Sequence, residues 1–447
     1  MLNSWNKLGM LLVLVAASWT MMAQTPRDLS PFSRLGLGDY YHQNTITTLG
    51  MGGFSAGFGS PYHINLQNPA SLGYLRTASF EAGLFLERSK LQAGDLTSTG
   101  TNGNLTYLSL GFALKNQLNQ VLERKVSKLK WGMNFALLPY TTVGYDVRTI
   151  LIDEVADSIR TEFAGSGGTN KVLWSNGFQY GNFSGGLTLG YLFGNIENSR
   201  QVTFLKIPFS FSDVFSDDIN IKGFVYDVGF MYKMDFGKDP DNPNALSKQT
   251  LTIGVSGHTA TSFTTRTDRL RSRLNATYTP VADTIQSMLD VSQNGKLPAE
   301  MTLGFTFRHK KKILIGLDVS FADWSKYENP AADFELENPI RLNKSSRIAG
   351  GMQITPDAES YNKYLKRVSY RFGGYFFDDP RMDELKTYAL TVGAGLPIVL
   401  SRNRTSFINL AFEVGQTNSD TIDENFYKVS VGFTLNDNSW FFKRKFN

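Results

Sequence analysis

Four histidines, His42, His63, His258 and His309, are the chain's only imidazoles, and none of its 447 residues is a cysteine. A structural or catalytic metal centre needs several such ligands at short, repeated spacings. These four are scattered, and none sits beside a nucleophile motif of known spacing. The paired carboxylates Asp217-Asp218 and Asp378-Asp379 suit loop solvation or loose calcium binding better than acid–base work, because neighbours on a strand face opposite ways. No glycine-rich loop follows a strand and opens a helix, as a nucleotide fold requires. The net charge of +5 is dispersed, without the basic stripe interleaved with aromatics that single-strand binding uses, so nucleic acid is not an expected partner. The expectation is a non-enzyme with no catalytic, cofactor or metal residues.

What the spacing does encode is extended structure. From Phe224 to Phe236, apolar side chains occupy every second residue: Phe224, Tyr226, Val228, Phe230, Tyr232, Met234 and Phe236. Strict alternation gives a strand one apolar and one polar or small face. A soluble half-buried strand averages about five or six residues, whereas one crossing a bilayer needs about nine to eleven. The pattern recurs at 303–307, 313–321, 388–396, 408–414 and 429–435, with Asp318, Lys233 and Glu413 on the opposite face. Charge on a lipid face would cost about 2–4 kcal/mol at mid-bilayer. The class expected is all-β: a transmembrane antiparallel β-barrel whose lone charges point into the lumen.

The N-terminus bears on compartment. Lys7 precedes an apolar run from Leu8 to Ala17, and Ala23 is a candidate last residue before cleavage. This reads as a secretory signal peptide, too short in its apolar run to span as a helix. Export, long alternating strands and no apolar run of membrane-helix length beyond it point to the outer membrane of a Gram-negative cell after Sec export. Aromatics at 13% with 41% hydrophobic residues suit a wall that carries apolar side chains on one face only. The expected division is a signal peptide at 1–23, a glycine- and asparagine-rich segment at 24–75, and the barrel at 76–447. Polar stretches at about 150–172, 238–248, 268–298, 325–343 and 355–366 read as longer connections, and short basic turns such as 309–312 and 401–404 as the opposite end. Trp131, Trp174, Trp324 and Trp440 are expected at the membrane interface.

The sequence also resembles a known family. Gly50-Met51-Gly52-Gly53-Phe54-Ser55-Ala56-Gly57, then Asn65-Leu66-Gln67-Asn68-Pro69-Ala70-Ser71-Leu72, are similar to the glycine-rich stretch and Asn-Pro-Ala element of FadL/TodX-type outer-membrane transporters. Leu297-Pro298-Ala299-Glu300, Ala322-Asp323-Trp324-Ser325, Tyr370-Arg371-Phe372-Gly373-Gly374-Tyr375 and the segment from Thr391 to Pro397 continue the resemblance in order. It implies a barrel of about 14 strands, against a residue-level count of fourteen to sixteen, plugged by an N-terminal hatch inside the lumen. It also implies passive movement of long-chain fatty acids or other hydrophobic small molecules, with lateral exit through a gap made by a kink in the third strand.

On that basis Asn68, Pro69 and Ala70 are the candidate hatch motif. Phe54, Phe58, Leu66 and Leu72 are candidates for the ligand path or, as readily, for hatch core. Pro139 is the candidate wall kink or an ordinary strand end, since proline removes a ladder hydrogen bond. Outer-membrane lipids and the barrel assembly machinery are expected partners of a monomer, although the terminal Asn447 departs from the usual aromatic ending. The alternative function is a porin-like subunit of a protein secretion system that binds cargo. A third is a surface lipid-modifying enzyme in which a serine and a histidine meet.

Overall fold

The computed structural model describes residues 30–114, 128–153, 157–207, 210–237, 248–275, 281–332, 341–400 and 404–437. The expected signal peptide and the ending around Trp440 lie outside them. Fourteen antiparallel strands close into a barrel. A short N-terminal strand comes first, β1 (Asp39–Tyr40), followed by the wall strands β2 (Ala78–Ala93), β3 (Leu96–Ala113), β4 (Leu129–Asp153), β5 (Asp157–Tyr180), β6 (Phe183–Phe204), β7 (Phe211–Phe236) and β8 (Gln249–His258). A hairpin, β9 (Thr261–Asn275) and β10 (Val281–Leu297), leaves the ring before β11 (Glu300–His309) pairs back onto β8. The wall continues through β12 (Ile313–Asp323), β13 (Lys344–Ile354), β14 (Ser369–Asp378), β15 (Lys386–Leu400), β16 (Arg404–Asn418) and β17 (Asp423–Asp437). β17 closes on β2, from Asp423 opposite Gln92 to Asp437 opposite Ala78.

The alternation has the physical meaning expected of it. Phe224, Phe230, Tyr232 and Phe236 are exposed on β7 while Val225 and Met231 between them are buried. Exposed apolar residues recur around the ring, among them Leu303, Leu317, Phe372, Val392, Phe412 and Val429. The intervening positions are polar and buried, such as Thr302, Asp318, Arg371, Asn409 and Glu413. No described helix is long and apolar enough to cross a membrane, and a closed barrel needs none, since its backbone groups pair from strand to strand. Val392→Arg, in the middle of this outward band, is expected to cost about 2–4 kcal/mol, read as a shift in the urea midpoint of folding into liposomes.

Two expectations fail outside the bilayer band. The polar stretches at 150–172 and 268–298 are not connections but strands, belonging to β4, β5, β9 and β10. On β7, the outward positions change at Phe224 to Lys222 and Asn220, while Ile219 and Ile221 turn inward, 2% and 0% exposed. Beyond the bilayer a strand is wet outside and can stay polar there, so it loses the signature by which it was sought. The outer halves of β4 to β7, with β9 on the edge of β7 and β10 on β9, form a half-sheet standing above one end of the wall. Trp324 is the other correction. It is 8% exposed, turned away from any interface girdle and packed edge-on against Tyr40.

Candidate functional site

The segment from Ser30 to Leu75 follows the inward face of the wall and is gripped there by side chains from many strands. Asp318 of β12 accepts hydrogen bonds from the backbone N–H groups of Ser55 and Ala56, at 2.6 and 2.8 Å. Arg347 of β13 donates to the Gly52 carbonyl at 2.9 Å, and Thr391 of β15 accepts from the Gly52 N–H at 2.8 Å. Glu81 of β2 accepts from the Ile64 N–H at 2.9 Å. Charge-assisted bonds of this kind contribute about 1.5–3 kcal/mol each. They also explain why the lumen tolerates a segment almost without regular structure: its backbone groups are satisfied by the wall.

Asn68, Pro69 and Ala70 sit at the centre of this grip. Asn68 is fully buried and caps the 3-10 turn Pro69–Tyr74, its Oδ1 accepting from the Ala70 N–H at 3.0 Å. Its Nδ2 donates to the Ala56 carbonyl at 2.6 Å and reaches the wall carbonyls of Phe230 and Val255 at 3.4 Å. The wall makes room with glycine: a Cβ on Gly229 would overlap Asn68 Oδ1, and one on Gly186 would overlap the Pro69 carbonyl. Phe54 and Phe58 pack with Met51 and Leu314. Leu66 and Leu72 pack with Ile46, Tyr107 and Leu173. These four are buried among other side chains and line none of the cavities described below.

Pro139 lies in β4, the third strand of the wall, at a register shift between Pro139 and Thr141 on the β5 ladder. The ladder between β3 and β4 covers only Leu108–Ala113 against Gly132–Leu137, whereas β2 pairs with β3 as far as Ala93 opposite Leu96. From Leu138 outward the β4 edge is therefore not joined to β3. Alternation ends there too: Leu138, Tyr140, Thr141, Val143 and Tyr145 are all buried, at 2–5% exposure. The N-terminal segment takes the vacated edge. Asp39 and Tyr40 pair with Thr142 and Thr141. The Tyr41 N–H donates to the Tyr140 carbonyl at 2.9 Å, and the Ser30 N–H to the Gly144 carbonyl at 3.2 Å. An open strand edge left bare would invite foreign pairing; here this chain covers it.

Behind β1 lies a cavity of about 560 Å³, counting its open mouth, lined by Leu35, Leu37, Tyr40, Trp324, Leu342 and Phe377 together with Thr141 of β4. Its polar members are neutral or paired. Burial, and then the neighbouring Glu300, holds the Tyr40 phenol well above its usual pKa, and its hydroxyl donates to Glu300 Oε2 at 3.1 Å. Burial, helped by Arg347 and Lys428, holds His42 well below the usual imidazole value. The outer rim is latched by Arg381, which pairs with Asp39 of β1 and, at 2.6 Å, with Asp379. Composition flagged the acidic doublet containing Asp379, but nothing in the spacing joins Asp39 to a loop more than three hundred residues away. Among the described residues no cluster of His, Cys, Asp and Glu could hold a metal ion.

A closed fourteen-stranded wall with apolar band, inward polar face and lumen-filling N-terminal segment defines an outer-membrane β-barrel of the hydrocarbon-channel fold. The chain is similar to a solved FadL homologue of Pseudomonas aeruginosa at 12% identity, covering 89% of this chain and 99% of that one with a TM-score of 0.54. It is similar to the Pseudomonas putida toluene transporter TodX at 13% identity, over 89% and 99% of the two chains with a TM-score of 0.53. The CymD monoaromatic hydrocarbon channel gives 12% identity, 90% and 99% coverage and a TM-score of 0.50. No curated protein matches the sequence. The family is given by the sequence itself, which matches BamG over residues 6–447: the chain belongs to the BamG family.

Proposed function

We propose that this barrel is a passive route for hydrophobic small molecules, long-chain fatty acids among them, across the outer membrane, with the Ser30–Leu75 segment as its hatch. The observation that carries the reading is the unjoined stretch between β3 and β4, with β1 of the hatch filling it and an apolar cavity directly behind. A ligand in that cavity is separated from the gap, and so from the bilayer, by one short strand. Pro139 stands two residues past the last β3–β4 pair, at the register shift on β5, and the half-sheet faces the cell exterior, with the short turns toward the periplasm. Asn68, Pro69 and Ala70 hold the hatch while β1 moves.

The chain has no cysteine, so a lock can be installed cleanly. The Tyr41-to-Tyr140 bond makes Tyr40 and Thr141 a non-hydrogen-bonded pair, the kind with Cα atoms about 4.5 Å apart, within disulfide reach. Tyr40→Cys/Thr141→Cys is expected to take up labelled oleate into proteoliposomes when reduced and to lose at least ten-fold of that rate when oxidised. Equal rates in both states would remove β1 as the gate, and no saturable binding of oleate to the folded barrel would remove the transport reading. A second reading makes this an accessory barrel docked to the barrel assembly machinery, the complex expected among its partners. Stable co-purification with its central subunit, in a protein that binds no oleate, would favour it.

A further inference from the structure

A second cavity, of about 500 Å³ with its mouth, adjoins the one behind β1, and Tyr40, His42, Glu300, Ser320 and Arg347 line both. Where the first is mainly apolar, the second presents Asp227 of β7, Glu300 of β11 and Arg347 of β13 among the neutral polar side chains of Gln67, Ser256 and Thr302. Its charges are not matched with one another. Arg347, 5% exposed, donates one hydrogen bond, to the Gly52 carbonyl, and lies 4.9 Å from the Tyr375 ring centroid, while its Nε is buried without a partner. Glu300 accepts from the Tyr40 hydroxyl. The Asp227 carboxylate has neither a hydrogen bond nor an ion pair among the described residues, and Glu300 and Arg347 have no ion pair there. Other charges near them are engaged outside the cavity: Lys171 over the Tyr140 ring at 3.5 Å, Asp318 with the Ser55 and Ala56 amides, and Glu413 with the Tyr375 hydroxyl at 2.6 Å.

Buried charges are ordinarily paired, because desolvation makes an unmatched one costly. Here opposite charges line one space and are held apart by it. A lone carboxylate entering it would be met by Arg347 and repelled by Asp227 and Glu300, and a lone ammonium would meet the reverse. A head that carries both groups is matched on both sides, its acid toward the free Nε–H of Arg347 and its ammonium toward the two carboxylates, through charge-assisted hydrogen bonds. The wall shared by the two cavities is aromatic: Tyr40 lies 5.8 Å from Trp324 and His42 5.0 Å from Phe377 between ring centroids. It leads into the apolar cavity behind β1, which suits a tail. We propose that the two cavities form one binding site for a zwitterionic amphipath, an ammonium beside an acid group on an apolar chain. The inference rests on the reading of the cavity behind β1 as part of the ligand route, and it names the ligand class. A free amphipathic amino acid and a zwitterionic lipid share this chemistry.

The test is calorimetric titration of the full chain in a non-ionic detergent with 2-aminooctanoate, octanoate, octylamine, octanol and alanine. Loss of one charge-assisted bond implies a change of about ten-fold, so 2-aminooctanoate is expected to bind about ten-fold more tightly than octanoate or octylamine, and more tightly still than octanol or alanine. Arg347→Gln is expected to weaken 2-aminooctanoate about ten-fold while octylamine binds no less well, and Asp227→Asn to weaken it about as much while octanoate binds no less well. That crossed pattern separates recognition from damage to packing, which would weaken all the ligands alike. Heat-modifiable mobility on gels verifies that each variant is folded, and Asp227→Asn carries the test if Arg347→Gln loosens the hatch at Gly52. Displacement of 2-aminooctanoate by phosphatidylethanolamine in mixed micelles assigns the head to a lipid, and failure to displace it assigns the head to a free amphipathic amino acid; both uphold the site. Octanoate or octanol binding as tightly as 2-aminooctanoate, alanine binding as tightly, or folded variants without the crossed pattern would overturn it. A protein that binds 2-aminooctanoate but takes up no oleate fails the transport reading and leaves this site standing, whereas oleate uptake without such binding does the reverse.

Discussion

Gly229→Val is expected to leave the barrel unable to reach its folded, heat-modifiable form. A side chain at this wall position would occupy the space of Asn68 Oδ1 and press on the Pro69 ring. Neither can step aside. Asn68 is tied through one atom to the Ala70 N–H and through the other to the Ala56 carbonyl, and Pro69 is wedged against Gly186 and Gly177 of the neighbouring strands. Overpacking in a closed core costs about 1–3 kcal/mol before any bond is lost. Losing the partners of two buried backbone groups adds about 1–3 kcal/mol for each. Asn68→Ala tests the second contribution alone: it creates no clash, and a loss of about 2–6 kcal/mol in urea titrations of the liposome-inserted protein is expected by the same accounting. Wild-type stability in Gly229→Val would mean that the Asn68-Pro69-Ala70 element is not seated on β6 and β7.

The contrast between these positions shows what a sequence displays and what it hides. Outward faces of the wall were legible because lipid demands an apolar residue at every second place; Phe224 and Phe230 report that demand independently of any partner. The half-sheet was invisible to the same reading because Lys222 and Asn220 face water and carry no demand. Asp318, Arg347 and Glu81 could be placed on the inner face by parity, but not matched with Ala56, Gly52 and Ile64, since a hydrogen bond to a backbone amide leaves no trace in residue type at the other end. Pro139 was noticeable because proline is rare inside a ladder. That β1 would occupy the vacated edge was not readable at all: Asp39-Tyr40 is too short to show alternation. Trp324 misled for a related reason, since an indole suits both a membrane interface and a lumenal cavity, and only the turn after β12 decides between them.

The second large effect is expected at the latch. Arg381 lies between β14 and β15, 12% exposed, with its Nε 2.8 Å from Asp379 Oδ1 and another of its nitrogens on Asp39. Arg381→Met removes the only cation bonded to both carboxylates among the described residues and leaves two largely buried negative charges side by side. Breaking buried pairs in this way costs about 3–5 kcal/mol, here toward about 3 because Asp39 retains 29% exposure. The wall ladder is untouched, so the cost falls on the docking of β1 against β4, as a local opening rather than a global one. Hydrogen exchange at the Tyr41 amide, bonded to the Tyr140 carbonyl, should accelerate about a hundred-fold, the factor that roughly 3 kcal/mol implies, and should do so without loss of wall protection.

The sign of its pH dependence discriminates this account from a simple packing defect. Burial raises the Asp39 carboxyl above its ordinary value and Arg381 opposes that rise, so without Arg381 the carboxyl moves further up. A carboxyl whose folded pKa is raised favours the docked state below its unfolded value of about 3.9, and that advantage is lost as pH rises through the folded pKa. Arg381→Met should therefore re-dock β1 as pH is lowered from 7 toward 4, with Tyr41 protection recovering, while the parent changes less over the same interval. Arg381→Lys, which keeps the charge and loses the fork that holds two carboxylates at once, should fall between them at pH 7. A packing defect would give the same low protection, relative to the intrinsic exchange rate, at every pH, and protection that worsened on acidification would show that Asp39 does not bear the charge that undocks β1.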